Sequence, residues 1–69
     1  MIVHIITCAW RDENGCGTSV AGVYKNNKIA ESVLGSLKAI AERRNLIAKN
    51  AHEDYELSYE LSSVEVADM

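Results

Sequence analysis

The chain contains no proline and no phenylalanine, and it has only one tryptophan and two cysteines among 69 residues. Cys8 falls in a predicted strand and Cys16 in the turn after it, which is a poor arrangement for a disulfide bond. Two thiols without an export signal indicate a reducing compartment, so we predict free thiols and a cytoplasmic location. The apolar stretch at residues 1–9 is too short to span a membrane, and it lacks the basic start of a signal peptide. We therefore predict no membrane association.

Ligands for a metal ion are scarce and badly spaced. His4 and Cys8 are four residues apart in a predicted strand, which separates them by about 13 Å. That distance is too long for one zinc ion, and no paired ligand spacing occurs elsewhere. The same distance argues against a catalytic pair of cysteine and histidine. We therefore predict no metal, no cofactor and no enzymatic activity.

Residues 15–19, Gly-Cys-Gly-Thr-Ser, resemble a loop that cradles phosphate through backbone amides. A P-loop also needs a lysine at fixed spacing and a helix directly after it. Here the lysine is missing and a strand follows. A hairpin loop accounts for both glycines.

Acidic residues outnumber basic ones by 10 to 7, which gives a net charge of −3 and a pI near 5.2. This balance argues against nucleic-acid binding. A chain of 69 residues forms a single domain, 1–69, and domains this small often need added support such as oligomerisation. We predict a homo-oligomer, because residues 2–10 are apolar on both sides of a strand and only one helix is available to cover them.

The last third of the chain alternates with the two-residue period of a half-buried strand. Tyr55, Leu57, Tyr59 and Leu61 lie on one side, and Glu56, Ser58 and Glu60 on the other. The apolar phase slips at Ser62-Ser63, and we predict a β-bulge there.

The first strand, Ile2 to Trp10, is apolar on both sides of the pleat, as is typical of a central strand. Residues 11–17 form a predicted hairpin loop with Asn14-Gly15 as its site of positive φ, and residues 18–24 form the second strand. Asn26 or Asn27 caps a helix over residues 27–49, in which Gly35 allows a close approach to the sheet. This helix is longer than an eight-residue strand, so it either projects beyond the sheet or breaks near Asn45.

The order is strand, strand, helix, strand. A right-handed crossover places the first strand in the centre. We predict an α+β fold with a three-stranded antiparallel sheet in the order 2-1-3, one long helix on one face, and the other face open.

This arrangement resembles a group of small phage and bacterial β-β-α-β proteins of unassigned function. The residues that carry the resemblance are Gly22-Val23-Tyr24, the cap at Asn26, Ala30-Glu31 and the acidic aromatic strand 55–61. The resemblance implies a β-β-α-β domain and a phage accessory role in the host cytoplasm. It brings no catalytic residues with it.

Two hypotheses for function follow. The first is a protein-interaction module, in the form of a phage-encoded inhibitor of a host enzyme or defence complex. It would bind its host protein through Ile6 and Trp10 on the open sheet face and through Glu56 and Glu60 of the acidic third strand. The acidic residues from position 53 onward are Glu53, Asp54, Glu56, Glu60, Glu65 and Asp68. The alternative is a homo-oligomer that binds a small anionic ligand or nucleotide through Arg43, Arg44 and Lys49.

Overall fold

The computed structural model describes residues 1–67 and contains three strands and one helix. The elements are β1 (Ile2–Asp12), β2 (Gly15–Tyr24), α1 (Asn27–Asn50) and β3 (Tyr55–Glu65). The sheet order is β2-β1-β3, and both pairs of strands are antiparallel. The predicted α+β fold and its strand order are confirmed.

The hairpin between β1 and β2 is tighter than the sequence predicts. Both strands continue to a turn of two residues, with Asp12 opposite Gly15 and Arg11 opposite Cys16. The carboxylate of Asp12 accepts a hydrogen bond of 2.8 Å from the N–H of Asn14. Gly15 has a φ of 149°, which confirms the predicted position of positive φ.

The strand register assigns every side chain to one of two faces. Ile6 lies opposite Leu61 and Trp10 opposite Leu57, so these four residues share the face that the helix covers, hereafter the helix-side face. The other face, hereafter the open face, carries Val3, Ile5, Thr7, Ala9 and Arg11 of β1 together with their neighbours on β2 and β3.

The predicted bulge at Ser62-Ser63 is wrong. The pairing of β1 with β3 is continuous from Ile2 opposite Glu65 to Asp12 opposite Tyr55. The apolar phase changes because Leu61 lies on the helix-side face, whereas Val64 lies on the open face opposite Val3. The irregularity in the sheet is instead in the pairing of β1 with β2, between Ile6 and Thr7.

The helix is continuous through Asn45 and ends at Asn50. Its 24 residues span about 36 Å, and the 11 residues of β1 and of β3 span a similar length. The predicted mismatch disappears because the strands are longer than eight residues. The side chain of Asn26 caps the helix by accepting hydrogen bonds from the N–H groups of Lys28 and Ile29 at 2.8 and 3.2 Å.

The core is small and the helix packs closely on the sheet. The buried residues are Ile6 and Leu57 of the sheet and Ala30, Ala41 and Ala48 of the helix. Because alanine side chains are short, the helix axis can approach the strands closely. Gly35 has no such role, since a Cβ atom placed on it has no neighbour within 4 Å. The helix lies chiefly over β3 and contacts β1 and β2 much less.

Candidate interaction surfaces

The open face is the first surface that the fold leaves uncovered. It carries small and β-branched side chains, and Val20 is 62% exposed, with Val23 and Val64 also exposed. Its β3 section is polar, with Glu56, Ser58, Glu60 and Ser62 in a row opposite β1. An apolar centre beside a polar margin is the usual composition of a protein-binding surface.

A shallow groove of about 510 Å³ lies at the hairpin end of this face. Ala9, Arg11, Thr18 and Ser58 line it together with Glu56. The guanidinium of Arg11 donates a hydrogen bond of 3.0 Å to the carboxylate of Glu56, and both side chains are well exposed. The groove therefore has an ion pair along its side, and the surface at its base is mainly apolar.

Glu56 and Glu60, the acidic residues of β3 expected to bind a partner, share the open face, as the alternation predicts. Glu56 is paired with Arg11, whereas Glu60 has no ion-pair partner within residues 1–67. Glu60 is therefore the uncompensated charge of the open face. Glu53 and Asp54 lie apart from it, in the loop before β3, beside Asp12 and Glu13 of the hairpin. Asp68 lies outside the described residues.

The placement of Ile6 on the open face is wrong. Ile6 has 0% exposure and lies beneath the helix, opposite Leu61. It cannot contact a partner in the folded protein. β1 is apolar on both sides, so its own sequence does not distinguish the two faces, and only the register with β3 does so.

Trp10 also projects from the helix-side face, not the open face, but it remains 40% exposed. Its indole lies over Gly17, which is its partner on β2. A Cβ atom at position 17 would stand only 2.8 Å from Cζ2 of the indole. The absence of a side chain at Gly17 therefore leaves room for the indole, and Trp10 stays exposed on the helix side.

The basic residues proposed as an anion site do not converge. Arg43 and Arg44 line a groove of about 420 Å³ on the helix together with Ala39 and Ile40. Lys49 does not line this groove. With about 100° of rotation per residue, Lys49 lies roughly 120° from Arg43 and 140° from Arg44 around the helix axis. The structure therefore separates Lys49 from the two arginines.

The thiols and imidazoles do not form a reactive or metal-binding cluster in the described part of the chain. Cys8 and Cys16 are free, and the register places them on opposite faces of the sheet. The Nδ1 atom of His4 lies 2.9 Å from the hydroxyl of Ser63, and this exposed pair joins β1 to β3.

Asn45 is a structural residue that sequence reasoning missed. Its Nδ2 atom donates a hydrogen bond of 2.9 Å to the carbonyl of Leu57, and its Oδ1 atom accepts one of 2.8 Å from the N–H of Leu57. Within residues 1–67, β3 is an edge strand whose only neighbour in the sheet is β1. The N–H and C=O of one strand residue point to the same side, so those of Leu57 point to the free edge. Asn45 therefore reaches over that edge.

No family model matches the chain, and neither a curated protein nor a solved structure matches it significantly. Within residues 1–67 there is no helix with both the length and the apolar character needed to span a membrane.

Proposed function

We propose that this chain is a protein-interaction module that binds another polypeptide through the open face. The observation that carries the proposal is an uncovered sheet face whose apolar side chains, Val20, Val23 and Val64, are exposed. Exposed apolar side chains grouped on one face are typical of a surface that binds a partner. A phage origin and the inhibition of a host enzyme or defence complex stay predictions from the resemblance.

The charges on the open face favour a particular kind of partner. Arg11 is neutralised by Glu56, so Glu60 is the one charge on the open face of the three strands without an ion-pair partner within residues 1–67. A complementary surface would place apolar side chains against the three valines and a lysine or arginine against Glu60. The partner that we propose is therefore a polypeptide with an apolar patch bordered by a basic residue.

The experiment maps the contact before it measures affinity. A photo-crosslinking side chain is placed at Ser58 on the open face and, as a matched control, at Ser32 on the helix. Both serines are exposed. The expected result in a lysate of the producing cells is a polypeptide that crosslinks at position 58 and not at position 32.

The crosslinked polypeptide is then purified and titrated with three variants. Glu60→Lys and Val20→Asp should weaken binding by about 10-fold or more, as expected for central contacts. Lys38→Glu, a charge reversal on an exposed helix residue, is the control and should change binding little. The proposal fails if no polypeptide crosslinks at position 58, or if both open-face variants bind as tightly as the native chain.

A further inference from the structure

The chain exposes more surface than a chain of its mass normally does. Its accessible surface is 5318 Å². The usual relation between mass and surface predicts roughly 4,300 Å² for 7.6 kDa. Its radius of gyration of 14.3 Å also exceeds the value of about 11 Å typical of 69 residues. The excess of about 1,000 Å² resembles one partner's share of a standard interface, which is about 800 Å².

Part of this excess lies on the helix-side face, over β1 and β2. The helix lies chiefly over β3 and buries Ile6 of β1, but it leaves Trp10 and Ser19 of the same face exposed. The uncovered area, hereafter the floor, contains Trp10 beside Gly17 and Cys8 beside Ser19. Its tryptophan is the largest side chain in the sequence and remains exposed. The floor is distinct from the open face, which lies on the other side of the sheet.

The helix presents an apolar flank beside this floor. Ile29, Ile40 and Ile47 are exposed, and the half-buried Val33 lies between the first two. Positions 33, 40 and 47 recur every seven residues and therefore form a nearly straight line along the helix. These four residues are hereafter the helix flank.

Asn45 shows in which direction the helix flank points. Ile47 follows Asn45 by two residues, which corresponds to about 200° around the helix. Because Asn45 reaches over the free edge of β3, Ile47 points to the opposite side, above β1 and β2. The helix flank is therefore the wall of a corner whose base is the floor.

We propose that a second copy of this chain fills the corner with its own helix. Apolar residues at positions 33, 40 and 47 supply one of the two apolar positions that recur every seven residues in helices packed along one another. Each copy carries both the helix flank and the floor, so in a dimer with two-fold symmetry the helix of each copy fills the corner of the other. The excess of exposed surface is comparable to the roughly 800 Å² that each partner buries in a standard interface.

The symmetry predicts a specific contact. If the two-fold axis is parallel to the helices, equivalent residues of the two copies lie at the same height along the axis. Trp10 lies opposite Leu57, and Leu57 is bound by Asn45. Leu46 follows Asn45 in the sequence, so Leu46 and Trp10 are at the same height. The exposed Leu46 side chain of one copy then packs on the Trp10 indole of the other. In the same arrangement Ile40 and Ile47 face their own counterparts.

Sedimentation of matched variants tests the dimer. The native chain should sediment as a dimer at about 100 μM, well above the dissociation constant of a specific interface. Leu46→Glu and Ile40→Glu should each weaken the dimer by about 10-fold or more. Val20→Glu places the same charge at a residue of the open face that is at least as exposed as Leu46 and Ile40, and it should leave the dimer intact. Circular dichroism reports whether each variant is folded.

Crosslinking tests the same contact without a disruptive charge. Cys8 and Cys16 are first replaced by alanine, and Ile47→Cys or Val20→Cys is then added. Mild oxidation should join two copies through position 47 and not through position 20. A native chain that is monomeric at about 100 μM overturns the proposal. So does a dimer that survives both helix variants, or that Val20→Glu dissociates. The open-face proposal fails by different results, those of its own crosslinks and titrations.

Discussion

The side-chain amide of Asn45 binds the backbone of Leu57 through two hydrogen bonds, at the position where a further strand would bind β3. An unpaired edge strand is a ready template for pairing with another chain, and proteins protect such edges in several ways. Here one helical side chain satisfies both backbone groups and holds the helix over β3. The same pair therefore holds the helix over β3 and blocks one pairing position on the free edge of the sheet.

Replacing Asn45 by alanine should destabilise the fold by about 1–3 kcal/mol, because it leaves two partly buried backbone groups without partners. Asn45→Asp should also destabilise it, since the carboxylate accepts from the N–H of Leu57 but cannot donate to its carbonyl. Urea unfolding at one fixed protein concentration measures both effects. Asn50→Ala, at an exposed asparagine of the same helix, is the control. Equal stability of Asn45→Ala and Asn50→Ala would contradict this role for the amide.

The role of Asn45 could not be predicted from the sequence, although the fold could. The alternation of β3 and the doubly apolar β1 were enough to predict the fold and the strand order. An asparagine inside a helical pattern, however, is also typical of a solvated residue or of a helix break. The free backbone groups of Leu57 that give it a role lie on another element, and only the packed structure brings the two together.

The two faces of β1 could not be told apart for a similar reason. Ile6 and Ile5 are equally apolar, so either residue could point to the helix. Their assignment depends on the pairing of β1 with β3, in which Ile6 lies opposite Leu61. The register is set by the loop lengths and by packing, which the sequence of one strand does not contain.

Two glycine-to-alanine substitutions should have opposite effects. Gly17→Ala places a Cβ atom 2.8 Å from the Trp10 indole, so the ring must move and the fold should lose stability. Gly35→Ala meets no atom within 4 Å and should stabilise the helix by about 0.5–1 kcal/mol. Thermal unfolding measures both changes.

The fluorescence of the single tryptophan reports the position of the ring directly. Gly17→Ala should shift the emission spectrum, and Gly35→Ala should leave it unchanged. An unchanged spectrum and an unchanged melting temperature for Gly17→Ala would show that the indole does not lie over Gly17 as described.

His52 occupies the position at the helix end where glycine is most common. Its φ is 57°, its N–H donates to the carbonyl of Lys49 at 3.2 Å, and the N–H of Glu53 donates to Ala48 at 2.8 Å. These two bonds define a Schellman motif, whose left-handed residue is costly for side chains other than glycine. His52→Gly should therefore stabilise the protein by about 1 kcal/mol, and His52→Val should destabilise it. Urea unfolding that ranks valine equal to or above glycine would refute this assignment.

Ionisation of Tyr59 makes the free energy of unfolding depend on pH in the alkaline range. Partial burial raises the pKa of its hydroxyl above the ordinary value of 10.0, the neighbouring Cys8 adds to the rise, and Arg44 opposes it. Below pH 10 the phenol is protonated in both the folded and the unfolded chain, so its contribution to stability is complete. As the pH rises through 10, the unfolded chain releases this proton while the folded chain keeps it, and the free energy of unfolding falls until the folded pKa is passed.

Tyr59→Phe removes this titration, so the free energy of unfolding should fall less steeply above pH 10 than in the native chain. Cys8→Ala should give an intermediate slope, because it removes a neighbour that raises the pKa of Tyr59 and leaves the burial of the phenol. Urea unfolding at a series of pH values, at one protein concentration, provides the three curves. Subtracting the Tyr59→Phe curve from the native curve removes the contributions of the lysines and of the other two tyrosines. If the difference is constant with pH, Tyr59 does not carry the dependence.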